Sequence, residues 1–350
     1  MTLGPVMVDL HGVALEPDER ELLRHPLVGS VILFSRNYES PDQLRRLVED
    51  IHSIRTPALL VAVDHEGGRV QRFQEDFTQL PAMRAVGRQY DRSRAEGIAI
   101  ARRLGWLMAA ELRASGVDLS FAPCVDLDYG VSKAIGDRAL HADSTAVSEL
   151  AVACMLGMRD AGMAATAKHF PGHGAVVADS HVALPVDRRS WSDIEADLLP
   201  YRRLIANGLT AIMAAHVVFE SVDERPASLS PRWIDGVLRQ EFGFQGAVFA
   251  DDLSMAGAAA PGDIVVRAEL ALAAGCDVLP VCNDRTAVLR LLDATLPGIN
   301  PVSRMRLARL HGRDAVDYKD LRSDPRWQDG LAAARLCRQR PELQLEGGQA

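Results

Sequence analysis

The chain has 350 residues, 48% of them hydrophobic and 25% charged, with 47 acidic against 39 basic side chains and a formal net charge of −8. A chain this long buries roughly three quarters of its unfolded surface, so neither disulfides nor a metal is required to hold it together. The acidic balance argues against a nucleic-acid or anionic-membrane surface, since phosphate binding needs a basic face, and leaves a small molecule as the expected partner.

The N-terminus, MTLGPVMVDLHG, lacks a basic leader and reaches Asp9 after a few apolar residues. It does not read as a signal peptide, and no apolar run approaches the roughly 18 residues of a membrane span. A cytoplasmic location is expected. Short apolar runs then recur: GPVMVDL from Gly4, VGSVILF from Val28, ALLVAVD from Ala58, VDLSFAPCVDL from Val117, MAATAKHF from Met163, AIMAAHVVF from Ala211, GAVFADDL from Gly246 and CDVLPVC from Cys276. Their hydrophobicity is continuous rather than alternating, as in parallel strands covered on both faces.

Between the second and third runs, SPDQLRRLVEDIHSI predicts a helix with Ser40 as N-cap, Pro41 at its first position and Gln43 completing a capping box. Between the third and fourth, SRAEGIAIARRLGWLMAAELRASG spaces apolar residues three and four apart and closes at Gly116. Further helices are expected near 145–161, 192–207, 231–242 and 262–274. Eight buried strands alternating with helices fit an α/β fold, a single (β/α)8 TIM-type barrel over 1–300, better than an open sheet. Residues 301–350 read as a helical extension packed on the barrel, with SRMRLARLHGR as a surface helix, its arginines solvated, and PELQLEGGQA as a fraying tail. The five cysteines are scattered, never spaced CxxC, and read as buried free thiols of a reducing compartment.

In a barrel, active-site groups sit at the C-terminal ends of strands and in the loops that follow. The runs end in Asp9, Asp64, Asp126, Lys168–His169, His216 and Asp251–Asp252. Charge at the end of an apolar strand is costly if merely buried; Asp9, Asp126 and His216 are the members best read as structural. Three readings of the rest compete. A metallohydrolase would use His169, His173, His181 and Asp179, but Pro171 and Gly172 interrupt the helix that would align the first two histidines. A sugar-binding barrel without chemistry would need only a pocket. A glycosidase needs a carboxylate and a proton donor across the scissile bond. Of Asp251 and Asp252, strand alternation lets only one face the pocket. His181 could be the donor, oriented by Asp179 two residues away. Gly172 and Gly174 would let that loop move, and His173 has no role beyond loop packing.

Taken together, HPLVGSVILFSRNY, VAVDHEGGRVQRF, FAPCVDLD, AIGDRAL, AKHFPGHGAVVADSH and VFADDLSMAGA resemble glycoside hydrolase family 3, and within it the bacterial β-N-acetylhexosaminidases of cell-wall recycling. The resemblance covers three quarters of the chain, and the KHFPGHG…DSH stretch followed by a strand ending in DDLSM is highly specific. It implies a retaining double displacement on terminal β-linked N-acetylglucosamine. Asp251 resembles the nucleophile, His181 the general acid/base and Asp179 its dyad partner. Asp64, Arg72, Arg138, Lys168 and His169 resemble the residues that hold the sugar. Arg72 and Arg138 rest on the resemblance; read alone, each is a surface arginine. It also implies no cofactor, no metal and a monomer. Ala250 stands where the family usually has serine, a loss expected to matter little.

Overall fold

Each of the eight apolar runs forms a strand in the structure, a computed structural model that describes residues 3–180, 183–259, 262–296, 300–314 and 317–338. The strands are β1 Val6–Asp9, β2 Val28–Leu33, β3 Leu60–Val63, β4 Leu119–Ser120, β5 Ala164–Phe170, β6 Ala211–Ala214, β7 Ala247–Ala250 and β8 Leu279–Val281. All ladders in this sheet are parallel and follow chain order from β1 to β7, with β8 beside β1. A bridge between Phe249 and Val278, with the Ala250 N–H donating to the Val278 carbonyl at 2.9 Å, brings β7 against β8 and closes the ring. The result is a TIM-type α/β barrel.

Parallel pairing demands crossovers, and helices supply them. They are α1 Pro17–Arg24, α2 Pro41–Ser53, α3 Met83–Arg92, α4 Arg94–Ala114, α5 Ser144–Asp160, α6 Trp191–Ala206, a π-helix over Arg232–Glu241, α7 Ile264–Ala274 and α8 Arg285–Leu292. Covered by helices outside and side chains inside, β3 is fully buried along its length, which explains the unbroken hydrophobicity of its sequence. Each such valine or leucine contributes about 1.5–3 kcal/mol. Phe121 and Phe249 meet edge-on in the barrel with centroids 5.2 Å apart.

Several local expectations change. Ser40 does cap α2, its Oγ accepting from the Gln43 N–H at 3.2 Å, but the Gln43 side chain accepts from Glu39 rather than Ser40, so the box is only half formed. In VDLSFAPCVDL only two residues join the ladder as β4, because Pro123 brings no N–H to it; pairing resumes as a bridge between Cys124 and Lys168. In AIMAAHVVF the strand stops at Ala214, and Val218–Phe219 joins a separate three-stranded sheet with Val186–Asp187 and Asp223–Pro226.

Beyond the barrel, α9 Pro301–Ala308 and α11 Pro325–Arg338 flank the short α10 Tyr318–Leu321. Trp327 on α11 donates its indole N–H to Glu111 of α4 at 2.9 Å. Not all arginines of α9 are solvated: Arg306 pairs with the buried Asp277 at 3.1 Å. The tail from 339 onward lies outside the described residues. All five cysteines are buried and free.

Candidate active site

A cleft of about 330 Å³ opens where the strands end, lined by Asp64, Arg72, Arg138, Lys168, His169, Asp179 and Asp251 among others. Seven of the eight residues expected from sequence thus share one cavity. The eighth, His181, lies outside the described residues.

Its floor is an ion-pair network. Asp64 follows directly on β3, and the hairpin after it, His65–Gly67 against Val70–Gln71, carries Glu66 two residues on. Residues two apart on extended chain share a face. Both carboxylates accept from the Lys168 ammonium, Asp64 at 2.8 Å and Glu66 at 2.6 Å. Arg138, on the turn Gly136–Arg138, forks onto Glu66 with bonds of 2.8 and 2.9 Å. Arg72 reaches Asp64 at 3.4 Å. Burial alone would neutralise these groups. Instead Lys168 and Arg138 hold Glu66 well below the usual carboxylate range, and Asp64 and Glu66 together raise the Lys168 ammonium against its burial. Three cations face two anions here, and the buried Nε of Arg72 has no protein partner among the described residues, so the network has donors left for a ligand's oxygens.

Arg138 is therefore no surface arginine: its side chain is 12% exposed and locked to a buried glutamate. Glu66 is the residue that sequence reading missed. Its two-residue spacing from Asp64 within VAVDHEGG allows the two to share a face, but does not by itself mark Glu66 as part of a site.

Lys168 and His169 are neighbours that alternation should send to opposite faces, yet both line the cleft. The β5–β6 register slips between Ala167 and Phe170, which re-aims them. His169 donates from Nδ1 to Asp126 at 2.7 Å, and Arg138 approaches its Nε2 at 3.3 Å. Asp126 also accepts the main-chain N–H groups of His169 and His173, at 3.2 and 2.7 Å. Burial opposes its charge, but His169 beside it outweighs that and keeps it ionised. Asp9 takes Arg36 and the Asn283 N–H, while His216 bonds Ser228 at 2.6 Å and the Asp252 carbonyl at 2.9 Å. These three acidic and imidazole groups fasten loops.

The donor atoms of Cys124, Asp126 and His169 lie within 4.8 Å of one another. Their valences are already spent: the carboxylate and both ring nitrogens have partners, and burial pushes the Cys124 thiol well above its usual range. This trio is poorly suited to a metal ion.

Asp251 and Asp252 both line the cleft, against the expectation of one. β7 ends at Ala250, so strand alternation no longer governs them. Their situations still differ. One oxygen of Asp252 is committed to the N–H groups of Ser254 and Cys282 and to the Ser254 hydroxyl, and burial raises its carboxyl to about 6. Ala250 is buried in β7, its N–H bonded to Val278.

The loop after β5 departs from expectation twice. Gly172 and Gly174 are packed rather than loose: a Cβ on Gly174 would lie 1.9 Å from the Leu127 carbonyl, and one on Gly172 would lie 2.8 Å from Asp197. His173 is 3% exposed and belongs to the cleft wall.

Comparison with known proteins gives the chain a family. Residues 5–306 match the family described as the glycosyl hydrolase family 3 N-terminal domain. A β-hexosaminidase of Thioalkalivibrio sulfidiphilus is 54% identical over 346 residues, 99% of this chain and 100% of its own length. One from Alkalilimnicola ehrlichii is 53% identical over 348 residues, with 99% and 100% covered. Among solved structures, NagZ from Neisseria gonorrhoeae in complex with N-trifluoroacetyl-D-glucosamine superposes with a TM-score of 0.92 at 41% identity, covering 97% of this chain and 99% of that one.

Proposed function

The chain belongs to glycosyl hydrolase family 3, among its β-hexosaminidases, and from that premise we propose a retaining exo-β-N-acetylglucosaminidase. Its substrate is terminal, non-reducing β-linked N-acetylglucosamine on cell-wall muropeptides, N-acetylglucosaminyl-1,6-anhydro-N-acetylmuramic acid with or without peptide. The observation that carries this reading is one cleft in which Asp251 and Asp179 share walls with the Asp64–Lys168–Arg138 network.

In the first step the Asp251 carboxylate attacks C1 while His181 gives its proton to the departing glycosidic oxygen, leaving a glycosyl-aspartate ester. In the second, His181 takes a proton from water, which attacks C1 and releases Asp251. Asp179 orients the His181 ring and stabilises its protonated form. Lys168, Arg72, Arg138, Asp64 and His169 hold the sugar's hydroxyls and acetamido group. A volume near 330 Å³ sits at the low end of small-molecule pockets and suits a single terminal sugar. The reaction needs no cofactor or metal, and we place it in the cytoplasm on a monomer. No helix among the described residues is long and apolar enough to cross a membrane.

Turnover of 4-nitrophenyl β-N-acetylglucosaminide against the matching β-glucoside, with and without phosphate and with EDTA, tests the reading. We expect release from the first substrate only, unaffected by EDTA and giving free N-acetylglucosamine. A sugar phosphate as product would replace hydrolysis by phosphorolysis, and loss with EDTA would bring back the metal reading.

A further inference from the structure

His173 enters neither the sugar-holding network nor the proposed chemistry, yet it is buried in the wall that holds Asp251. Its main-chain N–H is fixed on Asp126, and its ring stands edge-on to His169 with centroids 6.0 Å apart. Its Nε2 lies 3.2 Å from the Ser180 hydroxyl, while its Nδ1 is buried without a protein partner among the described residues. A buried polar atom left unpaired costs about 1–3 kcal/mol, so packing alone would favour an apolar side chain here.

Ser180 is equally confined. It is 3% exposed, and its carbonyl accepts from the Gly257 N–H at 2.9 Å. Gly257 lies in the turn Ala256–Ala258, on the loop that also carries Asp251. A Cβ there would lie 3.0 Å from the Ser180 carbonyl and 3.1 Å from the His216 Cβ, so the two loops are tightly packed at this point. Ser180 is thus tied by its side chain to the β5 loop and by its main chain to the β7 loop. It is also the middle residue of Asp179-Ser180-His181.

We propose that His173 is a positioning residue for proton transfer: by holding Ser180 it fixes the adjacent Asp179, proposed above to orient the acid/base His181, relative to Asp251. This rests on the roles proposed above for those three residues. Asp126 then anchors both arms of the site, His169 on the sugar side and His173 on the proton side. Burial and the neighbouring His169 keep the His173 ring neutral, and either tautomer of a neutral imidazole can bond a hydroxyl, as donor or acceptor.

The test compares kcat/KM for 2,4-dinitrophenyl β-N-acetylglucosaminide, whose leaving group needs little protonation, with that for chitobiose, whose leaving group needs it. His173→Ala, Ser180→Ala, the double variant and His173→Gln are measured. Proton transfer is typically worth about 10²–10⁴-fold, and positioning should hold part of it. We expect His173→Ala and Ser180→Ala each to lose at least about tenfold more on chitobiose than on the aryl glycoside. The double variant should be no worse than the worse single one, and His173→Gln, which keeps a nitrogen within reach of Ser180, should recover part of the loss. Equal losses on both substrates, or losses that multiply in the double variant, overturn the proposal. If His173→Ala does not fold, Ser180→Ala and His173→Gln carry the same comparison. Asp251→Ala and Asp179→Ala run alongside. An active Asp251→Ala defeats the underlying mechanism. A dead Asp251→Ala with a leaving-group-selective Asp179→Ala, but unselective His173 and Ser180 variants, defeats this inference alone.

Discussion

At the scale of single residues, groups proposed to react differ from groups that hold charge in place. Asp251→Ala should lower turnover on the order of 10⁴-fold or more without changing the unfolding temperature; a variant within tenfold of wild type would remove Asp251 from the chemistry. Glu66→Gln is different in kind. Glu66 is buried and bonds both Lys168 and Arg138, so the neutral amide leaves the network's three cations with Asp64 as their one anion. Breaking a buried pair costs about 3–5 kcal/mol, and the loosened cations should also raise KM. Thermal unfolding and initial rates together check this: an unchanged unfolding temperature with unchanged KM would show the network is dispensable. Most of these acids and bases were legible as charges at the ends of apolar runs. Glu66 was not, because nothing in a sequence says that Lys168, 102 positions later, will arrive between it and Asp64.

At the scale of elements, the eight strands could be read because parallel strands buried on both faces must be apolar throughout. What could not be read was how each strand ends. The slip between Ala167 and Phe170 turns two adjacent residues into one cleft, and β7 stops one residue before Asp251. Periodicity carries no information about such departures from the ladder. The glycines of the β5 loop make the same point: their composition suggests mobility, while their surroundings show contact with Leu127 and Asp197. Gly174→Ala should therefore destabilise the protein by at least about 1–3 kcal/mol, the cost of overpacking, and lower activity with it. Urea unfolding checks this, and a neutral or stabilising effect would mean that the loop is loose after all.

At the scale of the molecule, barrel and site pull stability in a common direction with pH. His65 is buried against Phe73 and Phe77, and burial followed by the charge of Arg72 lowers its imidazole to about 3 from an ordinary 6.5. The folded state thus keeps it neutral, while the unfolded chain takes up a proton below 6.5. The unfolded state binds more protons, so stability rises with pH: the contribution is complete above 6.5 and is lost as pH falls toward 3. Glu66 and Asp126, held below their usual range, add to the loss only further down, below their ordinary values of 4.5 and 3.8. A His65→Leu variant should accordingly gain on wild type by up to about 1.4 kcal/mol per pH unit between 6.5 and 4. Parallel stability profiles over that range would contradict it.

In the proposed reaction a carboxylate of this cleft becomes covalently bound to the sugar. The most direct measurement is peptide mapping by mass spectrometry after reaction with a slow substrate, 5-fluoro-N-acetylglucosaminyl fluoride, whose fluorine retards release of the intermediate. We predict one glycosyl adduct, on the peptide containing Asp251 and localised to that residue. An adduct on another carboxylate, or turnover with no adduct and an inverted anomeric product, would contradict the account.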